Sequence, residues 1–275
     1  MARGRLPFRL GTTSFIYRDD VLPNVRKLAA LVDDVEIVIY EYNERSPLPD
    51  AGVWTALQEL AAQHDLTYTV HLPLDLTLAS ADSTMRERSV ATARAVMAAT
   101  AGLRPWAWVV HAEPAPGGPA DWAEWRAAAG DSLRRLGDAA GEWTGEADRL
   151  CVENLESAPP ELPLELAERL QIGACLDVGH LFKRGLDAAP YLDGTLDRTR
   201  VVHLHGWNGE WDHVSLTALA PESLAPVVER LWRGPYAGVV TLEVFSEEDL
   251  FGSWQCLRDG ERPARSSRVE EAGHG

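Results

Sequence analysis

The chain has 275 residues, 45% of them hydrophobic and 25% charged, the balance of a globular protein able to bury a substantial core. Lys and Arg number 26 against 42 Asp and Glu; the formal net charge of -16 repels nucleic-acid phosphate, and the scattered arginines form no concentrated basic face to offset it. No run of 18 apolar residues is present, which excludes a helical membrane span, and the basic start at Met1–Pro7 lacks an apolar signal core, so cytoplasmic residence is expected.

The first predicted strand is Phe8–Thr12 and the second Val35–Tyr40. A helix over Asp50–His64 follows, capped by Asp50 ahead of Ala-Gly-Val-Trp. Tyr68–Leu72 is the third strand, Thr84–Thr100 a helix, and Trp108–Ala112 the fourth strand. Asp121–Ala140 is again a helix with an aspartate at its start. The fifth and sixth strands, Leu150–Leu155 and Ala174–Val178, flank a helix over Glu161–Leu170. The seventh and eighth, Val201–His205 and Val239–Phe245, flank a helix over Pro221–Trp232. From Asp259 to Gly275 apolar residues are scarce, so residues 1–258 are assigned to the fold and 259–275 to a disordered tail.

These strands are near-continuous apolar runs, as parallel strands buried on both faces require. Eight such units, most about 30 residues apart, specify a single (β/α)8 TIM barrel of the α/β class rather than an open doubly wound sheet. No GxGxxG follows the first strand, which argues against a dinucleotide-binding fold. Of the three cysteines, Cys151 and Cys175 sit in apolar runs and read as buried structural thiols, and no CxxC pair exists.

In such a barrel the carboxyl ends of the strands converge on one face. Here they carry His71, His111, Glu153, Asp177 with His180, His203 with His205, and Glu243, and His213 follows the seventh strand. One histidine at a strand end is ordinarily a hydrogen-bonded core residue. Several of them interleaved with carboxylates are costly to bury unless a cation neutralises the set. Mixed imidazole and carboxylate donors suit zinc, manganese or iron better than calcium or magnesium. The six histidines and three carboxylates exceed the roughly four to six donors one ion uses, which favours a multinuclear hydrolase over a mononuclear isomerase.

In this order, the residues resemble the xylose isomerase-like and endonuclease IV-type barrel superfamily. The resemblance implies that Glu153 bridges two metals, with His71 and His111 on one and Asp177, His203 and Glu243 on the other. It places His180 and His213 on a third. The pattern has an aspartate two residues before the last histidine, where this chain has Trp211; the adjacent Asp212 is expected to substitute as the ligand. The implied cofactors are two or three divalent ions, zinc or manganese.

FRLGTTSFIY (Phe8–Tyr17), VLPNVRKLAALVDDVEIVIYE (Val21–Glu41), TYTVHLPLDL around His71, LCVENLE (Leu150–Glu156), CLDVGHL (Cys175–Leu181), RVVHLHG (Arg200–Gly206) and TLEVFSEED (Thr241–Asp249) resemble the cobamide-remodelling phosphodiesterases, over nearly the whole chain to about Leu257. That resemblance implies hydrolysis of the phosphoribosyl linkage in the nucleotide loop of a cobamide, a small-molecule substrate, yielding cobinamide phosphate and the lower-ligand nucleoside. Glu153, Glu243 and His203 would be the catalytic centre. His205, Trp207 and Trp211 are weaker candidates for substrate contact, and loop packing explains the tryptophans equally well. Asp75 and Glu41 read either as outer partners of the site or as ordinary loop carboxylates. The alternatives are a mononuclear sugar isomerase or epimerase using Glu153, Asp177, His203 and Glu243, an abasic-site endonuclease, which the charge disfavours, and a non-catalytic corrinoid-binding or metal-storage protein.

Overall fold

A computed structural model describes residues 6–43, 45–114 and 121–259. Its eight strands are β1 Arg9–Thr13, β2 Asp34–Val38, β3 Thr67–His71, β4 Ala107–Val110, β5 Leu150–Glu153, β6 Gly173–Asp177, β7 Thr199–Leu204 and β8 Val239–Leu242. Every strand pairs in parallel with its neighbours in sequence, and β1 closes on β8, giving one eight-stranded barrel. The helices are α1 Val21–Leu28, α2 Ala51–His64, α3 Ser83–Thr100, α4 Trp122–Thr144, α5 Glu161–Leu170, α6 Val178–Lys183, α7 Ala189–Thr195, α8 Pro221–Arg233 and α9 Glu247–Asp259.

Alternation along the strands divides the interior into two apolar layers. Leu10, Val35, Ile37, Tyr68, Val70, Trp108, Val110, Leu150, Val152, Ala174, Leu176, Val202, Leu204, Val240 and Leu242 belong to the large core shared with the helices. The residues between them face the lumen, where Ala107, Val109, Cys151, Cys175, Val201 and Val239 form a small separate cluster. Cys151 and Cys175 are fully buried there, and burial pushes the Cys151 thiol up to about 12, so both stay protonated packing groups. Trp106 packs on this cluster at the amino-terminal end of the barrel, its indole donating to the Arg200 carbonyl at 3.0 Å. It therefore lies away from the strand carboxyl ends.

The rest of the lumen is polar. Asp34, Glu36, Thr69, His71, Glu153, Asp177, His203 and Thr241 are all buried. Asp34 accepts the Thr67 hydroxyl at 2.6 Å and the Thr69 amide at 3.2 Å, while burial raises its carboxyl to about 6.

Apart from the first, the expected strands run past the observed ones at their carboxyl ends, because Leu72, Ala112, Leu155 and Val244 stay buried after the ladder has stopped. Burial, rather than strand pairing, makes those positions apolar. Asp50 and Asp121 cap α2 and α4 as expected, accepting the Gly52, Val53 and Ala123 amides. The sequence reading named no helix at α1, α6, α7 or α9. α6 starts on the last residue of β6 with no intervening turn, since Asp177 is both strand end and N-cap, accepting the His180 amide at 2.6 Å. α9 runs to Asp259, one residue beyond the expected end of the fold. The rest of the expected tail, 260–275, lies outside the described residues. Among the described residues no helix is long and apolar enough to cross a membrane.

Candidate metal centre

Parallel register aligns the strand ends that carry the donors. Val38 pairs with His71, Asp177 with His203, and Glu153 with Cys175. His111 stands just beyond β4 and Glu243 just beyond β8, while His180 sits on the first turn of α6. His213 lies in the loop after β7, held at φ 52 in the left-handed region.

Donor atoms of Glu153, Asp177, His203 and Glu243 all lie within 4.8 Å of one another, and so do those of His71, His111 and Glu153. Glu153 is thus shared. Its Oε2 is 3.4 Å from His71 Nε2, 3.3 Å from His111 Nε2 and 3.5 Å from His203 Nδ1. A third group is His180, His205 and His213. Cys175 also falls within reach of Glu153 and His203, but burial raises its thiol well above the ordinary value and makes it a poor ligand.

Hydrogen bonds to the outer ring nitrogens orient the imidazoles, the usual device around metal ligands. His71 Nδ1 meets the Leu72 carbonyl at 2.9 Å, which turns Nε2 toward Glu153. His203 Nε2 meets Glu36 Oε2 at 2.8 Å, both side chains fully buried, leaving Nδ1 3.2 Å from Glu243 Oε2. Asn154 ties β5 to β6, its amide donating to the Asp177 carbonyl and its oxygen accepting the Asp177 N–H, each at 2.8 Å. Sequence reasoning missed Glu36 and Asn154. Glu36 was detectable as an acid inside an apolar parallel strand, and Asn154 as the polar residue after Glu153 at a strand end.

Burial opposes charge throughout this site, yet the groups compensate one another. For Glu153, burial is outweighed by His111 and His203, which hold its carboxyl well below the ordinary range. Burial is likewise outweighed at Glu243 by His203 and His213, and its carboxyl is lowered. At His180, Asp177, Glu153 and Glu156 overcome burial and raise the imidazole to about 9. Even so, Asp177 Oδ2, His203 Nδ1, His205 Nε2 and Glu243 Oε2 are buried without a hydrogen-bond partner among the described residues. Each such orphan costs about 1–3 kcal/mol. Four of them at one end of the barrel, among anionic oxygens and imidazole lone pairs, fit a site built for divalent cations.

The eight histidines and carboxylates expected from the endonuclease IV-type pattern all lie at this face. Asp212 does not join them. It belongs to none of the donor groups, and its Oδ2 is 2.6 Å from Lys183 Nζ, which also holds Glu156 Oε1 at 2.5 Å. His205, expected as a weak substrate contact, is fully buried inside the third donor group. The Trp207 ring lies 5.7 Å from Lys183 Nζ, and Trp211 is 64% exposed. Asp75 and Glu41 are exposed, Glu41 accepting from Asn43 at 3.1 Å.

Solved structures of the same shape include a D-tagatose 3-epimerase-like protein, with TM-score 0.77 and 21% identity over 92% of this chain and 97% of that one. A D-psicose 3-epimerase follows at TM-score 0.68 and 17% identity, covering 86% of this chain and 85% of the other. Endonuclease IV from Thermus thermophilus superposes with TM-score 0.67 and 22% identity over 92% of this chain and 98% of its own. At these identities the likeness is one of fold. Comparison with curated protein sequences returns no match. Residues 25–268 match the xylose isomerase-like TIM barrel family, and the chain belongs to that family.

Proposed function

We propose that the chain is a metal-dependent phosphodiesterase that hydrolyses the phosphoribosyl linkage in the nucleotide loop of a cobamide. The observation that carries the hydrolytic reading is Glu153, whose carboxylate reaches both His71 with His111 and the set of Asp177, His203 and Glu243. One ion needs only the second set. The histidine pair His71 and His111, beside the same Glu153 oxygen, supplies ligands for another, and a two-ion clamp suits in-line displacement at phosphorus. The cobamide itself is supported by the segment resemblances, from FRLGTTSFIY to TLEVFSEED.

When bound, divalent ions supply Lewis acidity toward a phosphoryl oxygen and acidify a coordinated water. The chain's own part is to fix that chemistry in place. Glu153, Glu243 and Asp177 contribute negative charge within a buried pocket, Glu36 holds His203 in the tautomer that presents Nδ1, and Leu72 does the same for His71 Nε2. In the overall reaction, water adds its oxygen to phosphorus and its proton to the departing ribose oxygen. The products are cobinamide phosphate and the nucleoside. Trp207 and Trp211, on the loop after β7, are proposed to contact the corrin or the base.

The fold relatives favour a second reading, a ketose epimerase. Glu153, Asp177, His203 and Glu243 form a complete four-donor set for one ion, and the two glutamates could then serve as acid and base.

Purified protein loaded with zinc or manganese, incubated with an adenosylated cobamide and followed by mass spectrometry, should release cobinamide phosphate and free nucleoside. Glu153→Ala should lower turnover by about a thousandfold or more, the several kcal/mol attributed to metal-assisted charge stabilisation, without loss of the thermal transition. One ion per chain, no cobamide turnover and interconversion of C3-epimeric ketoses would overturn the hydrolase in favour of the epimerase.

A further inference from the structure

His180, His205 and His213 differ from the Glu153-centred donors in chemistry. Their ring centroids are 4.1 Å apart for His205 and His213, 5.5 Å for His180 and His205, and 6.1 Å for His180 and His213. In all three rings Nδ1 lies against a backbone carbonyl: Asn154 at 3.0 Å, Gly206 at 3.1 Å and Glu243 at 3.3 Å, respectively. A proton on Nδ1 in each case leaves the Nε2 lone pair for a cation.

The backbone is shaped to admit this cluster. A Cβ on Gly179 would stand 2.3 Å from Cε1 and Nε2 of His205, so only glycine lets that ring take its place. His213 occupies the left-handed region, at φ 52, an unfavourable conformation for a residue other than glycine. His205 Nε2 is fully buried and has no hydrogen-bond partner among the described residues. The His213 amide also points at His205 Nδ1, at 3.1 Å, so the tautomer of His205 is set by what meets Nε2.

On the Nε2 side of the rings two carboxylate oxygens border the cluster, and each belongs to a carboxylate held elsewhere. Asp177 Oδ1, 3.4 Å from His205 Nε2, accepts the His180 amide at 2.6 Å. Glu156, with Oε2 3.4 Å from His180 Nε2, is held through Oε1 by Lys183. Lys183 also holds Asp212, the acid that would otherwise be the nearest substitute for a missing aspartate ligand.

We infer that His180, His205 and His213 form a carboxylate-free metal position in which His205 supplies the third ligand, and that it selects zinc over manganese. Three neutral imidazoles suit zinc, whereas the three carboxylates and one imidazole of Glu153, Asp177, His203 and Glu243 also accept manganese. The protein then holds two kinds of ion at once. The inference rests on the donors alone and stands whether the substrate is a phosphodiester or a sugar.

The test uses the full chain, stripped with chelator, supplied with excess manganese and one equivalent of zinc, desalted and analysed for both metals. Wild type should retain the zinc alongside manganese. His205→Gln, which keeps volume but removes the imidazole, should weaken that zinc by about a hundredfold or more, since loss of an outer partner alone costs 10–100-fold. Gly179→Ala should do the same by displacing the ring, while His111→Ala should leave the zinc in place. Thermal melts of the metal-free variants establish that each is folded, and either His205→Gln or Gly179→Ala suffices if the other is not. Zinc held as tightly in a folded His205→Gln or Gly179→Ala protein, zinc lost from His111→Ala instead, or manganese displacing zinc from wild type would each overturn the inference.

Discussion

Glu36 is the residue on which the centre depends without belonging to it. Its Oε2 accepts a hydrogen bond from His203 Nε2 at 2.8 Å, with both side chains at 0% exposure, so the imidazole is locked with Nδ1 toward Glu153 and Glu243. A charged acceptor also raises the basicity of the ligand nitrogen. Glu36→Gln keeps the shape and an acceptor oxygen but removes the charge. Metal affinity of the Glu153, Asp177, His203 and Glu243 set should fall about tenfold, with the thermal transition retained. Chelator competition measures it, and an unchanged affinity would remove Glu36 from this role. At this scale the sequence was readable where a donor ended a strand, because position alone predicted convergence. It was silent where partners came from different strands, as Glu36 and His203 do at a separation of 167 residues. Lys183 was hidden for a related reason. Its pairing with Asp212 depends on how α6 and the loop after β7 fold over one another, and it removes from the donor set an acid that adjacency in sequence had put there.

At the scale of elements, all eight strands were legible because apolar β-branched runs are what a doubly buried strand requires. Their limits were not, since apolar character follows burial beyond the ladder at Leu72 and Val244. α9 was missed although Leu250, Ser253 and Leu257, all fully buried, lie on one helical face; its acidic first turn, Glu247–Asp249, resembles a loop in composition. The start of β6 is a tight junction with consequences for the site, because the strand ends in Asp177. A Cβ on Gly173 would lie 2.3 Å from the Asp148 carbonyl oxygen and 2.7 Å from Cys151 Sγ, just before a register irregularity at Ala174 and Cys175. Backbone blocks the way, so relief requires moving the strand. Gly173→Ala should cost about 1–3 kcal/mol, the range for overpacking, and lower the melting temperature by about 5 °C. An unshifted calorimetric transition would mean that the junction is looser than its contacts indicate.

The closed barrel brings residues from β3, β4, β5, β6, β7 and β8 to one face, and eight regularly spaced strands made that convergence predictable before any pairing was known. What the fold leaves open is which substrate enters, since sugar epimerases and endonuclease IV share this shape. Charge over the whole molecule separates those possibilities better than the donor set does. The chain carries -16, and two bound divalent ions would bring it only to -12. A protein that binds duplex DNA gains affinity by releasing counterions to Lys and Arg, and that gain appears as steep weakening with salt. Here Lys183, on α6 three residues from His180, is committed, held by both Glu156 and Asp212. Fluorescence anisotropy with an abasic duplex should therefore show no saturable binding at low salt, even with the protein loaded with zinc. Tight association at about 50 mM salt that falls away by about 200 mM would reveal a basic surface that the composition conceals, and would make a nucleic-acid phosphodiester the better substrate. Weak binding at every salt concentration leaves a compact small-molecule phosphodiester or a sugar, the two classes between which metal stoichiometry and product analysis decide.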